Sequence, residues 1–316
     1  MYYIDLVSLY PSMMHHSLLP VGHPVYIREQ EKFLGLEELF GFQMCRLLPN
    51  NTLYHGVLPW REPDTGKLLF PLHEIEGTWT SVELMKAVEK GYVVMEIYQQ
   101  CHFEEQSDEL FTGYVDTFFE MKSRAAAEGN NGLKAVAKCA LNSLYGKFAQ
   151  DNASKRKNLL CFTPKEFNDV YYNDSVRDCD NVFVSMLTEE ATMLQYYEKA
   201  MLVNEGLINV PIAAFITAYA RLELYKAMDI LGDKVLYHDT DSIIYRSPDG
   251  SKLIPEGTGL GDWEPELGED NWITEFVSSG PKSYAYKTMS GEDDCCKVKG
   301  FQLNYANQLK INFESM

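Results

Sequence analysis

The sequence predicts an α+β fold, in which an antiparallel sheet packs on helices and is interrupted by a helical hairpin and insertions. The 316 residues are 46% hydrophobic, which is enough to bury a sizeable core. Short β-branched and aromatic segments alternate with longer segments whose apolar residues recur at helical spacing. The predicted strands are separated by pairs of helices, so the regular βαβ order of a parallel sheet is not indicated.

The N-terminal third begins with a very short strand, Tyr2–Asp5, followed by a helix over Pro11–Leu19. Residues 20–105 combine short strands with turn signals such as Pro-Asn-Asn and Pro-Asp-Thr-Gly, which indicates an insertion. One helix is predicted within it, over Ser81–Lys90, because Ser81 can cap its start and Gly91 can end it.

A helical hairpin is predicted to follow the insertion. Its first helix spans 108–128, the segment GNNG breaks the chain, and its second helix spans Leu133–Phe148. Residues 151–185 are rich in Asn and Asp and are predicted to be irregular. Two further helices, Thr188–Asn204 and Ala213–Leu231, precede a C-terminal part made of strands and turns.

The segment LYHDTDSIIY places two carboxylates, Asp239 and Asp241, inside an apolar run typical of a buried strand. Buried carboxylates are costly unless they are paired, hydrogen-bonded or bound to a metal. In an extended strand both project from one face, and with Ser242 following, the segment resembles a tight strand–turn–strand. Oxygen ligands two residues apart favour Mg²⁺ or Mn²⁺. An EF-hand is excluded, because its fifth and twelfth positions would be Ile243 and Gly250. A carboxylate that caps a turn beside a solvated neighbour is the structural alternative, and Asp5 is a candidate third carboxylate for a two-metal site.

One face of the second hairpin helix carries Lys134, Lys138, Asn142 and Tyr145, spaced by 4, 4 and 3 residues. At about 100° per residue, these side chains fall within about 80° of one another. Two ammonium groups, an amide and a phenol form a surface that suits a nucleoside triphosphate. A solvated cationic face, on which the amide and the phenol only pack, is the alternative.

Charge is distributed unevenly along the chain. The net charge of −18, taken alone, argues against a nucleic-acid partner. The window Met121–Leu160 nevertheless contains eight basic and two acidic residues and carries +6, which leaves −24 for the rest. A basic segment on an acidic body can face a polyanion.

Other features of the sequence narrow the class of protein. The sequence contains no transmembrane segment, and its first residues lack the pattern of a signal peptide, so no membrane partner is expected. The seven cysteines include no CxxC pair, which favours reduced thiols in an intracellular compartment of unknown identity. His15 and His16 and the four tryptophans are predicted to be structural.

Four segments resemble the motifs of family B DNA polymerases, and they occur in the family's order. DLVSLYPS (5–12) resembles motif A, KCALNSLYG (138–146) motif B, YHDTDS (237–242) motif C, and PKSYAYK (281–287) the KxY element. One such motif is weakly specific, whereas four in order are highly specific. Within the family, the chain looks most similar to the organellar and viral, protein-primed polymerases of phages, adenoviruses, linear plasmids and Polinton/Maverick elements.

The resemblance implies a two-metal phosphoryl transfer, in which a primer 3′-OH attacks the α-phosphate of a dNTP and pyrophosphate is released. Asp5 and Asp241 would be the principal ligands of two Mg²⁺ ions, with Mn²⁺ as a possible substitute. The carbonyl of Leu6 would be a further ligand, and Asp239 would lie near the metals with a less essential role.

The resemblance also implies contacts to nucleotide and DNA. The expected nucleotide contacts are Tyr10 as a steric gate against a 2′-OH, Lys138 at the triphosphate with Lys122 and Lys134 as helpers, and Asn142 and Tyr145 beside the nascent base pair. The expected DNA contacts are Gly146 at the template and Lys282 and Tyr284 at the primer terminus.

The domain organisation implied by the resemblance is that of a polymerase palm with a helical-hairpin fingers subdomain. It comprises the first part of the palm with an insertion (1–105), the fingers (106–150), a second insertion (151–187), the second part of the palm (188–285) and an incomplete start of the thumb (286–316). Because Asp5 lies four residues from Met1, the exonuclease is expected on a separate polypeptide, and DNA affinity and processivity are expected to be low. The expected partners are primer-template DNA, dNTPs, a terminal protein primer and that exonuclease polypeptide.

Two other interpretations stay open at this level. A glycosyltransferase could hold a nucleotide sugar through the DxD segment, although Asp5, Tyr10 and the helix face would then have no role. A truncated, inactive remnant that binds DNA or nucleotide is the non-enzymatic alternative.

Overall fold

The computed structural model describes residues 1–150, 157–173, 176, 182–188, 190–196, 208–268, 270–301, 307 and 310–316. The helices in these residues are α1 (Leu9–His16), α2 (Ser81–Glu89), α3 (Thr112–Ala127), α4 (Asn131–Phe148), α5 (Pro164–Tyr171) and α6 (Val210–Leu231). The strands are β1 (Tyr2–Leu6), β2 (Leu19–Val21), β3 (Val25–Ile27), β4 (Gly41–Leu48), β5 (Trp60–Arg61), β6 (Leu68–Leu69), β7 (Ile75–Thr80), β8 (Val93–His102), β9 (Glu105–Ser107), β10 (Lys157–Cys161), β11 (Phe183–Met186), β12 (Thr192–Tyr196), β13 (Val235–Asp239), β14 (Ser242–Tyr245), β15 (Trp263–Pro265), β16 (Ile273–Gly280), β17 (Ser283–Thr288) and β18 (Cys295–Lys297). The predicted α+β class is confirmed.

Two compact units divide the chain. The larger comprises Met1–Asn142 and Ala214–Met316, and the smaller comprises Ser143–Ala213. Within the described residues, no helix combines the length and apolarity that a membrane span requires.

The central sheet of the larger unit is antiparallel, with strand order β13-β14-β1-β15. Its two middle strands are the most apolar, and β14 is buried along its whole length. In β1, Tyr3, Ile4 and Leu6 are buried. Because β1 pairs with strands from the far end of the sequence, the N-terminal segment lies in the middle of this sheet.

The insertion in the larger unit forms a second antiparallel sheet, β3-β8-β4-β7. Alternate residues of β4 are buried, as expected for a sheet with one covered face. Helix α2 supplies Leu84 to the covered side, where Trp79 and Tyr225 of α6 also pack. The predicted capping residue of α2 was wrong, because the side chain of Thr80, not Ser81, accepts the N–H of Glu83.

A third sheet, β16-β17-β18, shares a hydrophobic cluster with the central sheet. Tyr284 and Tyr286 of β17 pack there with Tyr3 of β1 and Ile244 of β14. This shared cluster fixes the KSYAY segment beside the DTD turn.

Helices α3 and α4 form the predicted hairpin, and the Tyr114 hydroxyl donates to the Ala140 carbonyl at 2.8 Å. Helix α1 contacts α3 where His15 Nε2 lies 2.9 Å from Asp116 Oδ1, in agreement with a packing role for this histidine. The predicted end of α1 was too late, because the chain leaves the helix after His16 and Leu19 already belongs to β2.

The prediction failed most clearly in the smaller unit. Residues 151–185 were predicted to be irregular, yet they contain β10 and α5, whose start carries a Thr163–Glu166 capping box. The helix predicted over Thr188–Asn204 is also wrong at Thr192–Tyr196, which is a strand paired with β10 and β11. The part of that prediction at 197–204 lies outside the described residues. Sheet pairing outweighs helix propensity here, since Leu194 is fully buried against Cys161.

Candidate active site

The two carboxylates of the DTD segment lie at a tight turn between β13 and β14. Strand β13 ends at Asp239, Thr240 adopts a left-handed conformation (φ 55°), and the Asp241 N–H donates to the Asp239 carbonyl at 2.6 Å. The carbonyl of Asp241 in turn accepts the Leu6 N–H at 2.7 Å, which joins the turn to β1. The predicted tight strand–turn–strand is confirmed, and the turn rather than a continuous strand places the two acids.

Asp5 lies beside this turn because β1 pairs with β14, with Asp5 opposite Ser242. Burial raises the pKa of the Asp5 carboxyl to about 7, and the negative charges of Asp241 and Glu266 add to this effect. Burial also raises the pKa of Asp241. Two carboxyl groups that are far apart in the sequence thus share a partly buried environment that disfavours their ionised forms.

Asp239 is neutralised within the chain. Lys282 Nζ lies 2.9 Å from Asp239 Oδ1 and 2.7 Å from Asp239 Oδ2. Lys282 has a left-handed backbone (φ 59°), and its N–H donates to the Tyr237 hydroxyl at 2.9 Å. Because Lys282 occupies both oxygens of Asp239, Asp5 and Asp241 are the better candidates for binding a cation.

The chemistry of these donors fits a hard divalent cation. Within the described residues, no group of three His, Cys, Asp or Glu side chains has the spacing of a preformed metal site. Asp5 and Asp241 still offer carboxylate oxygens, which Mg²⁺ and Mn²⁺ prefer. A bound divalent cation would stabilise the ionised carboxylates that burial disfavours. The residues present therefore fit the metal ions that the sequence predicts.

A cavity of about 560 Å³ opens over these carboxylates. Its lining residues include six of the predicted site residues, namely Asp5, Asp239, Asp241, Lys138, Lys282 and Tyr284. Acidic and basic groups from four parts of the sequence thus meet in one cavity of the larger unit.

Tyr10 lines a neighbouring cavity of about 630 Å³, together with Asp239, Thr240 and Lys282. This second cavity is the more apolar of the two, because Leu224 and other residues of α6 contribute to its wall. The predicted steric gate and the DTD turn therefore border one space.

Lys122 extends from α3 to the turn before α1. Its Nζ donates to Ser8 Oγ at 3.1 Å and lies 5.4 Å from the centre of the Phe119 ring. Burial lowers the pKa of Lys122, and the positive charges of Lys138 and Lys134 lower it further. Lys122 therefore contacts the DLVSLYPS segment more directly than its predicted role as a helper suggested.

The other predicted contacts are not gathered in these two cavities. Lys134 and Asn142 are exposed on α4 and line neither. Tyr145 and Gly146 lie further along the same helix, in the smaller unit. The Leu6 side chain is buried, and the metal contact of its carbonyl stays a prediction.

Sequence reasoning missed three charged residues. Glu266 and Lys297 line the 560 Å³ cavity, and Glu264 of β15 lies directly opposite Asp5 of β1. The alternation of acids in WEPE was an available signal for the two glutamates, since it places them on one face of a strand. No local signal marked Lys297, which the β17–β18 pairing brings to the cavity.

Comparisons with known sequences identify the family and the relatives of this chain. The sequence profile of the family described as DNA polymerase type B, organellar and viral, matches residues 1–230. A probable DNA polymerase of Podospora anserina is 32% identical over 322 residues, which cover 94% of this chain and 26% of that protein. The DNA polymerase of Bacillus phage phi29 is 28% identical over 280 residues, which cover 83% of this chain and 41% of that protein. The chain thus spans less than half the length of either relative.

Comparison with solved structures shows a shared fold. Phi29 DNA polymerase complexed with primer-template DNA and incoming nucleotide substrates superposes with a TM-score of 0.69 at 20% identity. The match covers 99% of this chain and 52% of that protein. An orthorhombic crystal form of the same polymerase gives a TM-score of 0.68 at 21% identity.

Proposed function

Because this chain belongs to the organellar and viral type B DNA polymerases, we propose that it carries the catalytic core of a DNA-directed DNA polymerase. The proposed reaction is template-directed addition of dNMP to a primer 3′-OH with release of pyrophosphate. The observation that carries the proposal is the convergence of Asp5, Asp241 and Lys138 on one cavity. The nucleotide-sugar interpretation has no comparable support.

Each residue of the cavity has a role in this proposal. Asp5 and Asp241 hold the divalent cations, which when bound activate the 3′-OH and offset charge on the transferring phosphoryl group. Lys282 holds Asp239 away from the metal ligands and fixes the shape of the turn. Lys138 supplies positive charge beside Asp5, which offsets the carboxylates that the triphosphate would meet there.

The helical hairpin supplies the remaining nucleotide contacts. Lys122 adds a second ammonium group near the DLVSLYPS turn, and Tyr10 faces the space beside Asp239. The face of α4 that carries Lys138 also carries Lys134, Asn142 and Tyr145. The proposed macromolecular substrate is primer-template DNA, and a terminal protein primer and an exonuclease on another polypeptide remain further parts of the proposal.

Primer extension with Mg²⁺ or Mn²⁺ tests the proposal. We expect the unaltered chain to extend a primer in a template-dependent manner. We expect Asp241→Asn to reduce the rate roughly 100- to 1,000-fold, the range for losing one group that stabilises charge in a transition state.

Asp64→Asn is the matched control, because Asp64 lies on an exposed turn outside the cavity. It should extend primers at the unaltered rate. If Asp241→Asn were as active as the control, the assignment of Asp241 as a metal ligand would be wrong. If the unaltered chain bound primer-template but did not extend it, the interpretation as an inactive remnant would hold instead.

A further inference from the structure

The 560 Å³ cavity contains three lysines, and two of them have defined neighbours. Lys282 is bonded to both carboxylate oxygens of Asp239. Lys138, on α4, acts electrostatically on Asp5 and Asp241. The third, Lys297, makes no ion pair with any carboxylate of the described residues and is exposed to solvent. Its charge is therefore available to an anion that enters the cavity.

Lys297 stands on a rigid aromatic surface. It is the last residue of β18 and lies opposite Tyr284 in the β17–β18 pairing. Its Nζ is 5.6 Å from the centre of the Tyr284 ring, a distance at which a cation is attracted to the ring face. Tyr284 itself is 5% exposed and packs on Tyr237, with ring centres 4.8 Å apart. This surface restricts the positions that the ammonium group can adopt.

The ring that supports Lys297 is also connected to the DTD turn. Tyr284 packs in one hydrophobic cluster with Tyr3 of β1, the strand that carries Asp5. Strand β1 in turn pairs with β14, which begins directly after Asp241. The backbone at Lys297 is therefore held beside the strands of the two candidate metal ligands.

We propose that Lys297 binds a backbone phosphate of the primer strand, close to its 3′ end. The proposal rests on the polymerase function proposed above. The reaction brings two polyanions, the triphosphate and the primer, to one acidic cavity, and each needs positive charge. Lys122 and Lys138 of the helical hairpin serve the triphosphate, whereas Lys297 belongs to the sheet whose β16–β17 turn carries Lys282.

The contacts of the other lysines indicate which anion Lys297 binds. Lys282 forms an ion pair with Asp239, so its positive charge is already offset and attracts a phosphate less strongly. Lys297 carries the unpaired charge of this sheet at the cavity, among the described residues. Without it, a primer phosphate approaching Glu266 and Asp241 would meet two carboxylates and no unpaired positive charge from this sheet, among the described residues.

Salt-dependent DNA binding tests this inference. The dissociation constant of a fluorescent primer-template is measured by anisotropy over a range of NaCl concentrations, for the unaltered chain and for Lys297→Gln. We expect Lys297→Gln to weaken binding about 3- to 10-fold and to reduce the slope of log K against log salt by about 1, because one phosphate contact is lost. Lys297→Arg should retain both the affinity and the slope.

Lys32→Gln is the matched control, because Lys32 is an exposed lysine outside the cavity that pairs only with Glu29. It should leave the slope unchanged, and so should any variant that acts only through net charge at long range. The KM for dNTP should be unchanged in Lys297→Gln and raised in Lys138→Gln.

An unchanged salt slope in Lys297→Gln would overturn the inference and indicate that Lys297 only supports the Tyr284 ring. A raised KM for dNTP with unaltered DNA affinity would also overturn it, in favour of a triphosphate contact. Either result could occur in a chain that extends primers normally, and the proposed function would then stand. If the unaltered chain neither binds nor extends primers, both proposals fail.

Discussion

Asp5 is a carboxyl group whose ionisation the fold opposes, since burial raises its pKa to about 7. The carboxyl titrates near 4 in an unfolded chain. Its protonated form is therefore the one that the metal-free fold favours. The stability that this preference contributes is fully present below about pH 4 and is lost as the pH rises through about 7.

The direction of this pH dependence gives a prediction about metal binding. We expect the Tm of the chain to rise on addition of Mg²⁺, and to rise more at pH 8 than at pH 5, because the cation competes with a proton for Asp5. Thermal unfolding with and without Mg²⁺ at the two pH values measures the difference.

Asp5→Asn provides the control for that experiment, because an amide does not titrate. The variant should lose most of the pH dependence of the Mg²⁺ effect. Equal stabilisation by Mg²⁺ at pH 5 and pH 8 would contradict the assignment of Asp5 as a metal ligand.

Tyr10 is the second residue that permits a sharp prediction. Tyr10 borders the same cavity as Asp239 and Thr240, where the sugar ring of the incoming nucleotide is expected. We expect Tyr10→Ala to raise the ratio of rNTP to dNTP incorporation about 10-fold or more, because removing the ring relieves a steric clash with the 2′-OH. Single-nucleotide extension with each substrate measures this ratio.

Tyr26→Ala is the matched control, since Tyr26 is 63% exposed on β3 and lines neither cavity. It should leave the ratio unaltered. An unchanged ratio in Tyr10→Ala would remove the steric-gate role from this residue.

At the scale of elements, the helical hairpin depends on a specific contact between its helices. The Tyr114 hydroxyl donates to the Ala140 carbonyl, and Val115 and Leu141 are buried on the two helices. We expect Tyr114→Phe to lower the free energy of unfolding by about 0.5–1.5 kcal/mol, the usual range for one hydrogen bond. Chemical denaturation measures this change.

Hydrogen exchange of the α3 and α4 amides tells whether the loss is local. Tyr26→Phe serves as the control, because it removes a hydroxyl from an exposed side chain. If both variants unfolded at the same denaturant concentration as the unaltered chain, the Tyr114 contact would add nothing to the hairpin.

The elements that could be predicted are those whose signals are local. The helices at Ser81–Glu89 and Thr112–Ala127 follow from periodicity and chain breaks within their own sequences. The strand Thr192–Tyr196 could not be predicted this way, because its conformation depends on pairing with β10, more than thirty residues earlier. The start of α5 was different, since Thr163, Pro164 and Glu166 form a local capping signal that was overlooked.

At the scale of the whole molecule, the candidate site depends on pairings between distant parts of the chain. No local rule places Asp5 beside Ser242; its position at a strand end made it only a candidate third carboxylate, and the resemblance to a polymerase family then linked it to Asp241. Lys297 had no local signal to mark it, and both Glu264 and Lys297 reached the site through the pairings of β15 and β18. The order of the strands, rather than any single segment, therefore determines the charge balance of the cavity.

A buried ion pair between α6 and α2 is the clearest long-range connection in the larger unit. Glu83 is 2% exposed, and its Oε1 accepts hydrogen bonds from Arg221 Nε at 2.9 Å and from another guanidinium nitrogen at 2.8 Å. Its Oε2 accepts the Thr80 hydroxyl at 2.9 Å. The carboxylate thus has partners on both oxygens, and Arg221 supplies the only charge among them in the described residues.

Removing one partner of this ion pair should lower the free energy of unfolding more than removing both partners. We expect Arg221→Met to lower the free energy of unfolding by about 2–4 kcal/mol, because it leaves a buried carboxylate without a counterion while the arginine itself is partly exposed. Combining it with Glu83→Met should recover part of that loss, since two apolar side chains then replace the pair.

Lys226→Met on the same helix is the control, because the Lys226 side chain is 70% exposed; it should change the free energy of unfolding by no more than about 0.5 kcal/mol. Chemical denaturation of the four chains measures the coupling, and additive losses in the double variant would mean that the two side chains stabilise the fold independently. A coupling energy would instead show that Glu83 and Arg221 stabilise the fold through each other, although they lie 138 residues apart in the sequence.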